Sequence, residues 1–159
     1  MPKPILDSTD RKILSELQAD GRLSNQELAE RVALSPSPCL RRVRALERAG
    51  VIRRYAAVLD PAQIGLGLLA YVTVKLEKRG KMPVDQFTRA VESWPEVIAC
   101  YSMTGDMDYL MRVQVEDLEH YSRFVMDKLL KQPGVIDIRT NFVLERVKET
   151  TALPLGHLA

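Results

Sequence analysis

Arginine is concentrated in one short segment of the chain. Residues 36–54 contain six arginines and one acidic residue, Glu47, although the whole chain of 159 residues carries a formal net charge of only +2. A guanidinium group can donate two hydrogen bonds to a phosphate or to O6 and N7 of guanine together, which the ammonium group of lysine cannot imitate. A positive patch in one small region is the electrostatic pattern expected of a nucleic-acid contact.

The spacing of these arginines predicts that most of them share one face of a helix. At about 100° per residue along residues 35–49, Arg41, Arg44 and Arg48 fall opposite an apolar stripe, and Arg42 falls on its flank. A helix in the major groove presents its first residues to base edges, while neighbouring arginines bind phosphates. We expect the following residues to contact DNA: Ser35, Pro36, Ser37, Pro38, Arg41, Arg42, Arg44, Arg48 and Arg54.

Residues suited to catalysis are scarce. The two histidines, His120 and His157, lie beside no candidate nucleophile and in no metal-ligand cluster. Asp106 and Asp108 form a pair of carboxylates on a turn, with no acid or base partner evident. The two cysteines are far apart and match no metal or redox spacing, which favours reduced thiols. We therefore expect no enzymatic activity, no metal and no cofactor.

Three short helices are predicted in the N-terminal third. Ser8 is a candidate cap for the first helix, and Ser24 to Glu27 form a capping box that opens the second. The third begins with a capping serine and a proline, at Ser35 or at Ser37, and ends at Gly50. Two helices, a short turn and a third helix constitute a helix-turn-helix unit.

The rest of the chain predicts an α+β domain with the order β-α-β-β-α-β, which is the ferredoxin-like arrangement. The turn-rich stretch near Asp60-Pro61 and Gly65 separates a DNA-binding domain at residues 1–60, with a linker strand at about 51–67, from a second domain at residues 68–159. Helices cover one face of such a sheet, and pairing with a second copy would cover the other. The predicted strands are residues 68–76, 97–104, 109–115 and 135–147, and the predicted helices are residues 83–93 and 118–131.

Taken in order, short stretches along nearly the whole chain resemble the Lrp/AsnC (feast/famine) family of transcriptional regulators. Each stretch alone is weak, but the ordered combination is specific. The resemblance implies a winged-type helix-turn-helix domain followed by a ferredoxin-like (RAM) domain, in dimers that assemble further, often to octamers. The matching stretches include Gly21-Arg22-Leu23-Ser24, Leu34-Ser35-Pro36-Ser37, Trp94-Pro95-Glu96-Val97, Thr104-Gly105-Asp106-Met107-Asp108-Tyr109, Pro133-Gly134-Val135 and Leu153-Pro154-Leu155.

The resemblance also implies an amino-acid effector bound between dimers. An aspartate could hold the ammonium group of such a ligand, and backbone N–H groups with a threonine hydroxyl could hold its carboxylate. The same residues are also good hairpin-turn residues without any ligand. The effector residues carried over from the family are Met103, Thr104, Gly105, Asp106, Met107, Asp108, Tyr109, Thr140 and Phe142.

These observations predict a cytoplasmic, homo-oligomeric regulator that binds specific double-stranded DNA and responds to an amino acid or related metabolite. There is no apolar run of about 18 residues, which argues against a membrane span, and the N-terminus lacks the apolar stretch of a secretory signal. An alternative is a metabolite-binding regulatory subunit that acts through protein contacts without DNA. That alternative leaves the arginine face of residues 35–49 without a purpose. The sequence does not choose among leucine, methionine, asparagine, lysine or an aromatic effector.

Overall fold

The structure, a computed structural model, describes residues 5–77 and 82–158. Its described part forms two compact units. The first comprises residues through Val58 together with the C-terminal segment from Lys148, and the second comprises Leu59–Val147. The sequence had placed the whole C-terminal segment in the second domain.

The first unit contains the three predicted helices. Asp7 rather than Ser8 caps the first: its side chain accepts a hydrogen bond from the Asp10 amide at 2.8 Å, and the Asp10 carboxylate accepts one from the Asp7 amide at 3.2 Å. The reciprocal bonds of Ser24 and Glu27 confirm the capping box of the second helix. The helices are α1 (Ser8–Ala19), α2 (Asn25–Arg31) and α3 (Pro36–Arg48).

Helix α3 shows the predicted segregation of apolar and charged faces. Cys39 and Leu46 are buried in the core between the helices, while the arginine side is exposed. The helix begins at Pro36, where a missing N–H costs no intrahelical bond, and Gly50 beyond its end has a φ of 71° that favours glycine. The chain then runs through residues 53–59 without helix or strand. Within the described residues it pairs with no strand, so the predicted linker strand is absent, since a strand requires a bonded neighbour.

The second unit has the predicted order of four strands and two helices, which confirms the ferredoxin-like arrangement. The antiparallel sheet has the strand order β2-β3-β1-β4. Helix α5 continues into one π-helical segment, Val125–Leu129, where a single α-helix was predicted. The elements are β1 (Leu68–Leu76), α4 (Met82–Ser93), β2 (Val97–Ser102), β3 (Tyr109–Val115), α5 (Leu118–Phe124) and β4 (Val135–Phe142).

The register of the sheet explains its two different faces. Val72 pairs with Met111 on one side and with Thr140 on the other. Because side chains alternate across a strand, Val72 and Met111 face the helices and are fully buried. Tyr71 and Tyr101 lie on the opposite face and are 37% and 57% exposed. The second unit therefore has one face covered by helices and one face open.

Two predicted strands are shorter in the structure. Strand β2 ends at Ser102 rather than at residue 104, and β4 ends at Phe142 rather than at residue 147, because the pairing with the neighbouring strands stops there. The charged loop predicted over residues 78–82 lies, apart from the first residue of α4, outside the described residues. None of the described helices is both long enough and apolar enough to span a bilayer.

The C-terminal segment joins the first unit for a physical reason that its sequence did not reveal. Leu155 and Leu158 pack against the apolar core between α1, α2 and α3. Arg11 and Gln18 of α1 also bond to the backbone of this segment. The boundary predicted at residues 68–159 is thus corrected at its far end.

Candidate nucleic-acid interface and effector site

The exposed face of α3 brings four of the predicted DNA-binding residues together. A surface cavity of about 230 Å³ is lined by Ser37, Arg41, Arg44 and Arg48, together with the partly buried Leu40. These positions are three or four residues apart, so they lie on neighbouring turns of one helix face. The residues that were grouped by helical spacing therefore form one continuous polar surface.

The three arginines of this face keep their charge available. Among residues 5–77 and 82–158, Arg41, Arg44 and Arg48 form no ion pair with a carboxylate. Opposite them, Cys39 and Leu46 anchor the helix in the core. A cationic face without internal partners can neutralise an external anion without first breaking a salt bridge.

Arg42 differs from its neighbours because it is ion-paired within the first unit. Its Nη1 lies 2.8 Å from Asp7 Oδ2 and 2.9 Å from Asp10 Oδ1. Hydrogen bonds to Asp10 and Asp7 raise the pKa of the Arg42 guanidinium. The Asp10 backbone amide, together with Arg42, lowers the pKa of the Asp7 carboxyl despite the opposing effect of desolvation. Arg42 therefore links α3 to the start of α1, unlike Arg41, Arg44 and Arg48.

The start of α3 offers few backbone donors. Pro36 and Pro38 have no N–H, and the Ser35 hydroxyl makes no capping bond in this structure. The Pro36 carbonyl accepts a hydrogen bond from Asn25 Nδ2 at 2.8 Å, which ties the start of α3 to α2. Asn25 was not singled out from the sequence, because its bond crosses from one helix to the next. The start of α3 can therefore contact a ligand mainly through its side chains.

Arg54 stands apart from the α3 arginines. It is exposed on the irregular segment after α3 and, with Arg22 and Tyr55, lines a cavity of about 770 Å³ in the first unit. The structure therefore does not place Arg54 on the face formed by Ser37 and the three arginines of α3.

The hairpin between β2 and β3 is held by Asp108. Its carboxylate Oδ2 accepts a hydrogen bond from the Leu76 amide at 2.7 Å, at the point where the register of β1 and β4 shifts. Its backbone carbonyl accepts from the Met103 amide at 2.8 Å, which closes the hairpin. Gly105 has a φ of 111°, which a residue with a Cβ rarely adopts. Turn formation therefore accounts for part of this motif by itself.

A cavity of about 380 Å³ opens beside this hairpin, within the range of small-molecule sites. Three of the predicted effector residues line it: Met103, Asp108 and Tyr109. Burial is the main cause that raises the pKa of the Tyr109 phenol, and electrostatic interactions with Cys100 and Asp108 raise it further. The centroid of the Tyr109 ring lies 4.9 Å from that of the Phe87 ring. The other lining residues were not predicted, because they come from strand ends and from α4: Leu76, Glu77, Val84 and Ser102.

The remaining predicted effector residues do not line this cavity. Thr104, Gly105 and Asp106 are exposed on the hairpin, and Met107 is half-buried. Within the described residues, the hairpin thus contributes only its two ends to the cavity.

The two predicted effector residues on β4 lie elsewhere on the sheet. Thr140 shares a hydrogen bond with the Tyr121 hydroxyl, and the Phe142 ring lies 5.1 Å from the Tyr121 ring. Tyr109 pairs with Val74 of β1. Thr140 and Phe142 pair with Val72 and Ala70, which lie two and four residues from Val74 along the same strand. Strand spacings then separate these Cα atoms from that of Tyr109 by about 12 Å and about 17 Å. A single chain therefore does not bring all nine predicted effector residues into one site.

No metal site accompanies these features in the part of the chain that the structure describes. No group of three or more His, Cys, Asp or Glu side chains there could hold a metal ion. One partly buried ionic cluster joins Glu96 to His120 and to Lys128, and Lys128 Nζ donates to Glu96 Oε1 at 2.6 Å. It contains only one carboxylate and one imidazole.

Comparison with known proteins agrees with both halves of the chain. The family model described as winged helix-turn-helix DNA-binding matches residues 6–53, and that of the Lrp/AsnC ligand binding domain matches residues 69–153. The leucine-responsive regulatory protein of Escherichia coli strain K12 is 45% identical over 152 residues, which cover 96% of this chain and 93% of the relative.

Solved structures give the same result. The transcriptional regulator NMB0573 of Neisseria meningitidis, in complex with L-Met, matches with a TM-score of 0.94 and 51% identity, covering 97% of this chain and 99% of that chain. An AsnC family regulator from Agrobacterium tumefaciens matches with a TM-score of 0.91 and 38% identity, covering 97% and 100%. This chain therefore belongs to the Lrp/AsnC family of transcriptional regulators, with an N-terminal DNA-binding domain and a C-terminal ligand-binding domain.

Proposed function

We propose that this regulator reads double-stranded DNA with the exposed face of α3 and that an amino acid modulates its assembly or its DNA binding. The observation that carries the DNA assignment is the group of three arginines, Arg41, Arg44 and Arg48, that share one face and have no ion-pair partner in the described chain. Arg42 is excluded from this group because Asp7 and Asp10 occupy it.

The order of residues along α3 suggests how the work is divided. Residues at the start of a recognition helix reach base edges, so Ser37 and Arg41 are assigned to base contacts, with Pro38 packing beside them. Arg44 and Arg48, further along the same face, are assigned to phosphates. Arg54 on the segment after α3, and Ser35 and Pro36 at the start of the helix, are assigned to contacts at the edge of this interface.

The cavity beside the hairpin is the proposed effector site. Met103 and Leu76 supply an apolar wall, and Asp108 supplies a carboxylate whose Oδ2 already accepts the Leu76 amide. A relative of known structure binds L-methionine and another is named for its response to leucine, so an amino acid with an unbranched or aliphatic side chain is the first candidate. Asp106 and Thr104, which are exposed on the same hairpin outside the cavity lining, are assigned to polar contacts with the ligand at the edge of this site.

The proposal includes assembly of several copies. The open sheet face exposes Tyr71 and Tyr101, and a second copy packed against it would bury them. Thr140 and Phe142, separated from the cavity within one chain, contribute to an effector site only if another copy brings them to it. Dimers that assemble further, up to an octamer, meet both requirements. Binding to chromosomal DNA would place the protein in the bacterial cytoplasm.

Selection of bound duplexes from a random DNA pool tests the DNA assignment, followed by titration of the selected duplex against salt. Binding through several phosphates should weaken linearly in a log–log plot, by about 0.9 for each phosphate contacted. Failure to enrich any duplex would favour the alternative regulatory subunit that acts through protein contacts.

A thermal-shift screen of the twenty amino acids tests the effector assignment, because a ligand of the folded state raises the unfolding midpoint. We expect a rise with methionine or leucine that is lost in Met103→Asp. An unchanged midpoint with all twenty amino acids would contradict this assignment while leaving DNA binding untouched.

A further inference from the structure

Helix α1 carries a binding surface for the end of its own chain. The Gln18 side chain forms a reciprocal pair with one residue: Nε2 donates to the Leu153 carbonyl at 3.1 Å, and Oε1 accepts from the Leu153 amide at 2.6 Å. Seven residues earlier, Arg11 Nη1 donates to the Leu158 carbonyl at 3.1 Å. Seven residues are nearly two helical turns, so Arg11 and Gln18 lie on the same side of α1.

Apolar contacts fill the space between these two polar anchors. Leu155 and Leu158 pack against the core of the first unit, which includes Leu14 of α1. The Leu158 amide donates to the Leu155 carbonyl at 3.1 Å, so the segment turns here. The segment thus crosses α1 in the direction opposite to the helix, held by polar contacts at Leu153 and Leu158 and by apolar contacts of Leu155 and Leu158.

The surface is chemically selective. A side-chain amide both donates and accepts, which matches the two backbone groups of Leu153, whereas glutamate at position 18 would lack the donor. The C-terminal segment, defined as residues 148–158, extends beyond the part of the chain that either family model matches, since those matches end at residues 53 and 153.

The segment is covalently continuous with β4 of the second unit. The chain therefore passes between the two units twice, once after Val58 and once before Lys148. The helix that receives the segment is also ion-paired to α3, because Asp7 and Asp10 bind Arg42. A restraint that the C-terminal segment applies to α1 therefore also acts on α3, the helix that carries the proposed DNA-binding face.

We propose that the C-terminal segment is an intramolecular clamp, bound by Arg11 and Gln18, that restrains the DNA-binding unit so that two copies can occupy two half-sites together. This inference rests on the proposed DNA binding by dimers. Once one copy is bound, the second binds with an effective concentration that depends on how freely it can move. A second attachment removes orientations that do not fit the second half-site. Binding to a single half-site gains nothing from this restraint.

The test compares full-length protein with two release variants, the double substitution Leu155→Ser with Leu158→Ser, and the milder Gln18→Ala. Matched controls are Leu144→Ser, which alters a leucine that is 99% exposed, and Ser15→Ala on an exposed position of α1. Each protein is titrated with a duplex containing two selected half-sites and with one containing a single half-site. Circular dichroism and thermal unfolding verify that each variant is folded.

We expect the release variants to lose about tenfold in affinity for the two-site duplex and less than about twofold for the single-site duplex. The controls should match the wild type on both. An equal loss on both duplexes would show that the segment only completes the fold of the first unit, and no loss on either would show that it restrains nothing. Both results overturn the proposal.

Hydrogen exchange tests the docking itself without DNA. The Leu153 amide should exchange slowly in the wild type and faster in Gln18→Ala, while Ser15→Ala leaves it unchanged. Fast exchange in the wild type would overturn the docking. A wild type with a protected Leu153 amide that selects no DNA would instead place the failure in the proposed function.

Discussion

Two neighbouring arginines of α3 provide the sharpest test of the proposed DNA interface. Arg44 is exposed and unpaired among the described residues, whereas Arg42, two positions earlier, binds Asp7 and Asp10 at 2.8 Å and 2.9 Å. Substituting either by methionine removes the same charge from the same helix and preserves most of the aliphatic stem. Comparing the two variants therefore distinguishes an arginine that contacts phosphate from one that pairs with the carboxylates at the start of α1.

The expected size of the effect follows from counterion release. In a dimer, Arg44→Met removes two phosphate contacts and should make the log–log salt slope shallower by about 1.8. Lowering the salt from roughly 200 mM to roughly 50 mM should then strengthen wild-type binding about 12-fold more than binding by Arg44→Met. Arg42→Met should leave the slope unchanged and lower the unfolding midpoint instead, because it releases two carboxylates from their partner.

Fluorescence anisotropy with a selected duplex at four or five salt concentrations measures both slopes. Thermal unfolding of the same preparations measures the unfolding midpoint of each variant. A slope reduced equally in Arg42→Met and Arg44→Met would refute the reasoning, since it would mean that Arg42 leaves its carboxylates when DNA binds. An unchanged slope in Arg44→Met would remove Arg44 from the phosphate contacts.

Three further predictions concern the second unit. Asp108→Ala should lower the free energy of unfolding by about 1–3 kcal/mol, because the Leu76 amide loses its acceptor. Asp108→Asn keeps an acceptor oxygen and should lose only the thermal shift caused by an amino acid. Equal destabilisation by both substitutions would contradict the role of Oδ2. Gly105→Ala should destabilise the protein by about 1–2 kcal/mol because of its φ of 111°, and Gly156→Ala, which also has open space around the added Cβ but no positive φ, should not; chemical denaturation measures both. Burial alone would raise the pKa of Glu96, but hydrogen bonds from Lys128 and from the Glu96 backbone lower this pKa below the ordinary 4.5. The ionised Glu96 therefore contributes to stability above pH 4.5, and this contribution is lost as the pH falls through the lowered pKa. Stability of Glu96→Gln should therefore fall less steeply below pH 4.5 than that of the wild type, while the exposed Glu119→Gln control should follow the wild type.

The sequence alone was sufficient for the features that depend on local periodicity. The order of three helices, then β-α-β-β-α-β, follows from repeats of 3.6 and two residues and from caps such as Ser24 with Glu27. The face shared by Arg41, Arg44 and Arg48 was predictable for the same reason, because residues within one helix have a fixed angular relation. Strand ends were less predictable, since β4 ends at Phe142, where its pairing with β1 stops, and not where its apolar residues end.

Tertiary structure decided everything that depends on partners distant in the chain. Arg42 has the same charge as Arg44 and differs only in facing the carboxylates that cap α1, 32 and 35 residues away. Thr140 and Tyr109 belong to one sheet, yet the register of β1 separates them. The C-terminal segment reaches Gln18 across 135 residues. A sequence pattern specifies which face a side chain occupies, but only the packing of elements determines what that face meets.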